Sequence, residues 1–413
     1  MLYRSISLPN ACGSSNKTDL CDMDTQFLYI HRLSMVAIGL WPYHRTMLVQ
    51  LQCSVFSLTL ISFIIFQLTT FLTTEWTLDF FVEILSTSLY LLLWVIQYNS
   101  FWINMHVVKR LLENLQYICS ELKDENEIAI IKRYEHIAKH IAIGLILLLM
   151  CVLFIFTLLP FVPRIFGIFF LVNKSEPHRN MYMRTEYFVD QEKYFYSILL
   201  HLYAALYIVG GILIGTGILM TGYSSYFCGL FNIASYRIEQ AMRINSDDII
   251  NRMNKREIDK KISHAVDIHR IAYECNEAFL HNFEGTYFLI IMILVICLSL
   301  NLYGIFRTVC FVYRMEDFVK YFGFAGGILG CSLAGNYMGQ AITDHYYYIF
   351  SSAYNVRWYV APVRVQRLIL FLLQKGTKPY NMKYGLYAAS LETFATLLSA
   401  SLSYFTLLCS IQK

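Results

Sequence analysis

Few side chains of this sequence are arranged for covalent chemistry. His136 and His140 lie four residues apart, so on a helix they share one face, as two zinc ligands would. The residues between them are Ile-Ala-Lys, however, without the glutamate that the metalloprotease motif places there, and we interpret the pair as a solvated face. Asp344-His345 stands without a second ligand cluster, and GxSxG and P-loop motifs are absent from the sequence. The sequence therefore predicts a protein that is not an enzyme and holds no metal or cofactor.

A second pattern lies near the C-terminus and has a different chemistry. Five hydroxyl-bearing residues recur there at intervals of three and four: Thr396, Ser399, Ser403, Thr406 and Ser410. At about 100° per residue they form one stripe along a helix. Such a stripe either packs against a neighbouring helix or lines water. The large apolar residues Leu407 and Ile411 border it, an arrangement that suits a constriction closed by dewetting.

The elements that must carry these residues are long apolar segments. Only 15% of the 413 residues are charged, whereas soluble domains carry about 25%. Seven segments of at least 20 residues contain no Asp, Glu, Lys or Arg: 46–74, 84–108, 140–163, 194–236, 285–306, 321–343 and 393–412. Because about 20 apolar residues span a bilayer, the sequence predicts an all-α membrane protein with seven transmembrane helices. We number these segments spans 1 to 7.

The distribution of basic residues predicts the orientation of the spans. The connections on the side of the N-terminus carry 23 Lys and Arg, and those on the other side carry 8. Because basic loops stay in the cytosol, we expect a cytosolic N-terminus and an extracellular C-terminus. The Asn173-Lys-Ser175 sequon falls on a loop predicted to be outside, so Asn173 is a candidate for glycosylation.

Aromatic and apolar residues are frequent in the outer halves of spans 2, 3, 4 and 6. They are Phe81, Tyr90, Leu91, Cys151, Phe154, Ile155, Ile198, His201, Leu202, Tyr321, Phe324 and Ile328. Such residues could form the wall of an apolar ligand pocket, or they could be ordinary core or lipid-facing residues. Ionisable residues are scarce within the spans, and this argues against an ion-coupled transporter.

The C-terminal 80 residues resemble those of insect odorant receptors. The resemblance depends on motifs that occur in order: Cys331-xxx-Gly335, Ala353-Tyr354, Trp358, Lys378-Pro379, Ser390-Leu-Glu-Thr-Phe394 and Ser403-Tyr-Phe-Thr-Leu-Leu408. Members of that family are subunits of tetrameric, odorant-gated, non-selective cation channels, usually assembled with a shared co-receptor. The resemblance implies a plasma-membrane receptor of sensory dendrites, with a small apolar odorant, the lipid bilayer and the co-receptor as partners and no nucleic acid.

The resemblance also assigns roles to parts of the chain. Residues 1–46 would be a cytosolic segment, 47–345 the first six spans with cytosolic helix extensions at about 224–283, and 346–382 a cytosolic anchor between subunits. Residues 383–413 would form the pore-lining helix and a short extracellular tail. The twelve aromatic and apolar residues above would form the odorant site. The pore would be lined by Ser403, Thr406, Leu407, Ser410 and Ile411.

Three alternatives stay open: a gustatory receptor, a G-protein-coupled receptor and, despite the scarcity of charge within the spans, a transporter. A gustatory receptor shares the architecture but ends in a Tyr-rich motif that finishes Gln-Phe, whereas this chain ends Cys-Ser-Ile-Gln-Lys. A G-protein-coupled receptor would carry Asp-Arg-Tyr after span 3 and has the opposite charge bias. The co-receptor itself tends to carry Gln where this chain has Ser410, so the chain resembles an odour-tuning subunit.

Overall fold

The chain folds almost entirely into helices. A computed structural model describes residues 23–161, 183–242, 252–312, 314–377, 380 and 382–411. The α-helices are α1 (Met23–Ala37), α2 (Met47–Leu68), α3 (Thr70–Thr73), α4 (Leu78–Ile103), α5 (Met105–Glu121), α6 (Glu125–Leu158), α7 (Phe195–Met242), α8 (Arg252–Arg307), α9 (Met315–Asn355), α10 (Val363–Gly376) and α11 (Leu391–Ile411). Short 3₁₀ turns cover Leu159–Phe161 and Trp358–Val360, and α8 continues into a π-helical turn at Thr308–Val312. Strands β1 (Lys383–Tyr384) and β2 (Tyr387–Ala388) pair antiparallel in a small hairpin.

Within the described residues, seven helices are long and apolar enough to cross a membrane, which confirms the predicted all-α, seven-helix fold class. They are α2, α4, α6, α7, α8, α9 and α11, and each contains the greater part of one predicted span. We call the end of the bundle that carries α5 and α10 the lower end, which the charge bias predicts to be cytosolic. The end that carries α3 and the α8–α9 connection is the upper end.

Local capping sets where several helices begin. The side chain of Thr46 accepts a hydrogen bond from the Val49 amide at the start of α2, and Thr77 accepts one from Phe80 at the start of α4. Asp124 caps α6 in the same way. These caps satisfy amides that a helix leaves without an internal partner.

Helices α7 and α8 continue well beyond their apolar runs. In the sequence, a stripe of residues that includes Ile258 and Ile262 recurs every three or four positions before the apolar run of α8, and this spacing predicts the extension of that helix. The stripe on α8 turns inward, and Ile258, Ile262 and His269 are at most 2% exposed. It packs against α9 and α10. The Nη2 atom of Arg237 on α7 lies 2.7 Å from a carboxylate oxygen of Glu127 on α6. These contacts make the lower end a packed helical core.

The imidazole of His269 lies at the centre of this lower-end core. Its ring centroid is 5.2–5.7 Å from those of Phe231, Tyr346 and Phe350. The residue lies outside the apolar run of α8, which begins at position 285. Burial, and secondarily the charge of Lys375, lowers the pKa of His269 to about 4. The imidazole is therefore neutral at physiological pH.

Glycines allow several close approaches between neighbouring parts of the bundle. Ile38, just after α1, packs on Gly211 and Gly215 of α7, where an added Cβ would lie 3.1 and 2.5 Å from its side chain. The small-xxx-small pair in span 4 thus serves close packing, as its spacing suggests. The partner is α1, a helix that the sequence did not reveal. Gly339 of α9 packs in the same way against Ala389, just before α11.

Candidate ligand-binding site and pore-lining helix

Three aromatic rings from three helices stack in the upper half of the bundle. The rings of Tyr90 on α4 and Phe324 on α9 lie 4.2 Å apart at an interplanar angle of 19°. Phe156 of α6 stacks on Phe324 at 5.7 Å and 11°. All three side chains are buried. Near-parallel rings at such distances attract one another beyond the effect of burial alone, so this aromatic cluster joins α4, α6 and α9.

Other predicted pocket residues lie in the same apolar core. Leu91, Leu202 and Ile328 are at most 2% exposed and belong to the core that contains the aromatic cluster. Ile198 and Tyr321 are also buried. Seven of the twelve predicted residues therefore point into the bundle, and five of the seven come from α4 or the upper half of α9, with Tyr90 and Phe324 at their centre.

His201 lies apart from the aromatic cluster. Its Nδ1 forms a 2.7 Å hydrogen bond with the hydroxyl of Tyr187, and its Nε2 lies 3.1 Å from Ser62 Oγ on α2. The edge of its ring also meets Phe63 of α2. His201 thus joins α7 to α2 and to the segment before α7, rather than facing α4 or α9.

The remaining four predicted residues point away from the bundle. Phe81, Phe154 and Ile155 are 43–63% exposed, and Cys151 is exposed as well. On α6 the buried face is therefore displaced from the face that the sequence predicted, by one residue or about 100° around the helix. Phe156 points inward instead. Almost every residue of span 3 is apolar, so the sequence contains no alternation of polar and apolar residues that could distinguish the inward face from the outward face.

A charged layer lies just above the aromatic cluster, and sequence reasoning missed its central residue. Lys320 of α9 is fully buried, with its Nζ 3.3 Å from Glu83 of α4 and 3.2 Å from Asp317. Arg184, from the segment before α7, reaches the other oxygen of Glu83 at 3.1 Å. A buried ammonium needs such partners to offset its desolvation. Glu83 of α4 thus binds both Lys320 of α9 and Arg184 of the segment before α7.

Helix α11 turns its hydroxyl stripe away from the rest of the subunit. Thr396, Ser399, Ser403, Thr406 and Ser410 are all exposed, as are Leu407 (55%) and Ile411 (64%). The opposite side of the helix, with Leu397 at 4% and Ser401 at 0%, packs on α8 and α9. Of the two interpretations of the stripe, packing within the subunit is therefore wrong.

The start of α11 is fixed by α9. Ser390 Oγ accepts a hydrogen bond from the Thr393 amide at 3.1 Å and so caps the helix. The amide of Ser390 donates to the side chain of Asn336 on α9 at 3.2 Å. The conspicuous Ser-Leu-Glu-Thr-Phe sequence thus has a structural role at the lower end of the last helix. Glu392 lies in the first turn of α11 and is exposed.

The upper end of α8 lies between the aromatic side of the bundle and α11. Tyr303 of α8 is fully buried, and Phe405 and Leu408 of α11 pack against it. On the adjacent position, Gly304 admits the ring of Tyr321, since an added Cβ would lie 2.6 Å from it. The hydroxyl of Tyr303 donates to Asp79 of α4 at 3.3 Å. One turn of α8 therefore contacts both α11 and Tyr321, a residue of the candidate ligand site.

The sequence matches the family model of the seven-transmembrane odorant receptors over residues 77–402. The chain belongs to the odorant receptor family. This family contains receptors, which is in keeping with the absence of catalytic motifs from the sequence. No curated protein matches the chain by sequence.

Two solved structures share the fold of this odorant receptor. The insect olfactory receptor OR5 from Machilis hrabei, in complex with eugenol, is 14% identical and has a TM-score of 0.75. The same receptor in a second structure is 14% identical with a TM-score of 0.73. In both cases the alignment covers 95% of this chain and all of the other. The predicted family and the seven-helix architecture are thus confirmed. Asn173 lies outside the described residues.

Proposed function

We propose that this odorant receptor is an odour-tuning subunit of a heteromeric, odorant-gated, non-selective cation channel. The observation that carries the proposal is the exposed hydroxyl stripe of α11. Five hydroxyl residues face away from their own subunit along a helix that is otherwise apolar. In an assembly around a central axis, such a face would meet water. Leu407 and Ile411 would then form the constriction, with Ser410 between them.

The ligand in this proposal is a small apolar odorant that binds beside the aromatic cluster. Tyr90, Phe324 and Ile328 provide ring faces and aliphatic surface. The phenol of Tyr90 and the ion pair of Lys320 with Glu83 supply polar groups near one edge. A mostly apolar site with a few polar points is the usual composition of small-molecule pockets.

The proposed topology has the lower end in the cytosol of a sensory neuron and the C-terminus outside. The support is the 23-to-8 distribution of basic residues. An epitope tag after Lys413 should be stained on intact cells, and one before Met1 should be stained only after permeabilisation. Surface staining of the N-terminal tag would contradict this arrangement.

Expression with and without the co-receptor tests the channel assignment. In cells without odorant signalling of their own, the pair should give an odorant-evoked cation current that persists when G-protein signalling is blocked. The chain alone at the same surface level should give little current. A response that needs G proteins, or one that ignores the co-receptor, would contradict the proposal.

Cysteine accessibility tests the pore separately. Ser403→Cys and Thr406→Cys channels should lose current when a membrane-impermeant cationic thiol reagent is added during odorant application. Leu148→Cys on α6, a side chain that is 63% exposed in the subunit, is the matched control and should stay unmodified in lipid. Equal block of all three variants would contradict a pore along α11.

A further inference from the structure

A groove separates α1 from the first turn of α2. Its volume is about 500 Å³, within the roughly 300–1,000 Å³ that small-molecule sites occupy. Three aliphatic side chains line it together with two basic ones and a hydroxyl: Leu33, Val36, Val49, Arg32, His44 and Thr46. None of the residues of the aromatic cluster lines it.

Hydrogen bonds hold the turn behind this groove in place. The carbonyl of Ala37 accepts from Gln52 Nε2 at 2.8 Å, and that of Ile38 accepts from the hydroxyl of Tyr98 at 2.7 Å. Gly39 follows with a φ of +74°, a conformation that side chains disfavour. Because the turn is fixed to both α2 and α4, the two walls of the groove keep their separation.

Two arginines border the groove without an acidic partner among the described residues. Arg32 and Arg45 are exposed, and neither pairs with an acidic group in the part of the chain that the structure describes, while the imidazole of His44 is exposed beside them. Further along this rim, the ammonium of Lys109 lies 5.5 Å from the ring centroid of Tyr43 and is itself paired with Glu113 at 3.8 Å. A surface with unpaired cations attracts anions from its surroundings.

The same border exposes large aliphatic side chains. Met47, Leu48 and Leu51 in the first turns of α2 are 84%, 76% and 60% exposed. Because α2 is a membrane-spanning helix, these residues meet acyl chains. A free phosphate would leave the aliphatic wall of the groove in water, whereas a lipid satisfies both surfaces with one molecule.

We propose that this groove binds an anionic phospholipid of the leaflet that borders α1. Arg32 and His44 contact the headgroup phosphate, and Leu33, Val36 and Val49 contact the first methylenes of an acyl chain. The lipid then fills the space between α1 and α2 and stabilises the packing of α1 on α7. This site is independent of the odorant and pore assignments, so failure of either leaves it untouched.

Lipid-dependent stability of the purified full-length protein tests the proposal. The protein in neutral detergent is titrated with dioctanoyl phosphatidylserine, dioctanoyl phosphatidylcholine or inorganic phosphate, and the melting temperature is recorded without odorant. Phosphatidylserine should raise it at concentrations about tenfold lower than phosphatidylcholine, and phosphate alone should have no effect. Arg32→Gln with His44→Gln should abolish this preference.

Two further variants separate the groove from general surface charge. Arg110→Gln removes an exposed arginine of α5 outside the groove and should leave the titration within twofold of wild type. Val36→Trp fills the apolar wall without changing charge and should weaken phosphatidylserine binding at least fivefold. Equal effects of the two lipids, equal loss with Arg110→Gln, or full stabilisation by inorganic phosphate would each overturn the proposal. Folding of every variant is checked by its elution profile.

Discussion

Helices α6 and α11 are equally exposed in the subunit, yet they expose different chemistry. Each buries only 11% of its most apolar window. The outward face of α6 is apolar, with Leu147 and Leu148 at 62% and 63% exposure, and its hydroxyl residue Thr157 is hydrogen-bonded within the subunit, to Tyr207 of α7 at 3.0 Å. The outward face of α11 carries the hydroxyl stripe.

The difference shows that exposure alone does not identify the surroundings of a membrane helix. Lipid tails compete well for aliphatic surface, so a face such as that of α6 needs no protein partner. On α11 the hydroxyls of Ser403, Thr406 and Ser410 donate to carbonyls of their own helix at 2.7–3.0 Å. Their oxygens remain as acceptors for water. The chemistry of the exposed side chains therefore favours lipid around α6 and water or other subunits around α11.

The largest effect is expected from a substitution that displaces α11 and so removes one of the two compared faces. In Gly339→Val, the new Cβ would lie 2.6 Å from the carbonyl oxygen of Ala389, an obstruction by backbone that cannot rotate away. Overpacking costs about 1–3 kcal/mol and more against rigid atoms. We expect loss of most surface protein and current. Gly335→Val is the control, because no described atom lies within 4 Å of that position. Equal surface biotinylation of the two variants would contradict the contact.

The next effect tests whether the lower-end core, rather than α11, determines the stability of the subunit. Because the pKa of His269 is lowered to about 4 from about 6.5 in the unfolded chain, the unfolded state binds more protons below pH 6.5. Stability is therefore fully present above pH 6.5 and falls as pH drops toward 4, by about 3 kcal/mol.

Thermal unfolding of the solubilised protein between pH 7 and pH 4.5 measures this loss. His269→Phe should flatten the dependence, since the ring remains and the titrating group is gone. His281→Phe, an exposed position of the same helix, should leave it unchanged. A wild-type pH dependence in His269→Phe would show that other groups dominate.

A smaller effect addresses the two exposed faces directly. Leu407→Gln should wet the constriction and raise ligand-independent current by about tenfold per surface channel, equivalent to about 1.4 kcal/mol. Leu148→Gln on α6 should lower surface expression without raising basal current, because a lipid-facing amide impairs insertion. An equal rise of basal current in Leu407→Gln and Leu148→Gln would contradict the proposed difference between the two faces.

The smallest effect sharpens the assignment of α6. Ile328→Trp adds volume beside the aromatic cluster and should shift odorant potency about fivefold, while the co-receptor agonist still opens the channel. Cys151→Trp, on the outward face of α6, should leave the dose–response curve in place. A shift with Cys151→Trp alone would restore the face of α6 that the sequence predicted.

The sequence predicted the parts of the fold that depend on composition and on strong periodicity. Seven uncharged runs gave the seven spans, and the stripe at Ile258 and Ile262 gave the extension of α8. Helix α1 was missed because its pattern is weak and its partner, the Gly211–Gly215 face, is about 175 residues away. Loops without regular apolar spacing gave no signal for the small β-hairpin either.

The candidate sites were predicted to different degrees for a related reason. On α11 polar and apolar residues alternate with helical period, so the spacing predicted the hydroxyl stripe, but it did not decide whether the stripe packs against a neighbouring helix or lines water. On α6 the residues around Phe156 are all apolar, so burial depends on contacts with Phe324 that only the folded chain provides. Lys320 was missed because its burial depends on Glu83 of another helix.

The attachment of α11 has a mechanical consequence. Its lower end is fixed to α9 by the Ser390–Asn336 hydrogen bond and by the contact of Ala389 with Gly339. A tilt that loosens the packing of Phe405 and Leu408 on α8 therefore pivots near Ser390, and displacement grows with distance from that point. Leu407 lies 17 residues further along, or about 25 Å at 1.5 Å per residue. A tilt of about 10° at the pivot thus moves Leu407 by about 4 Å, roughly the width of a methyl group. In the proposed channel, the lower attachment would make α11 a lever that converts a small angular change into a change of pore radius.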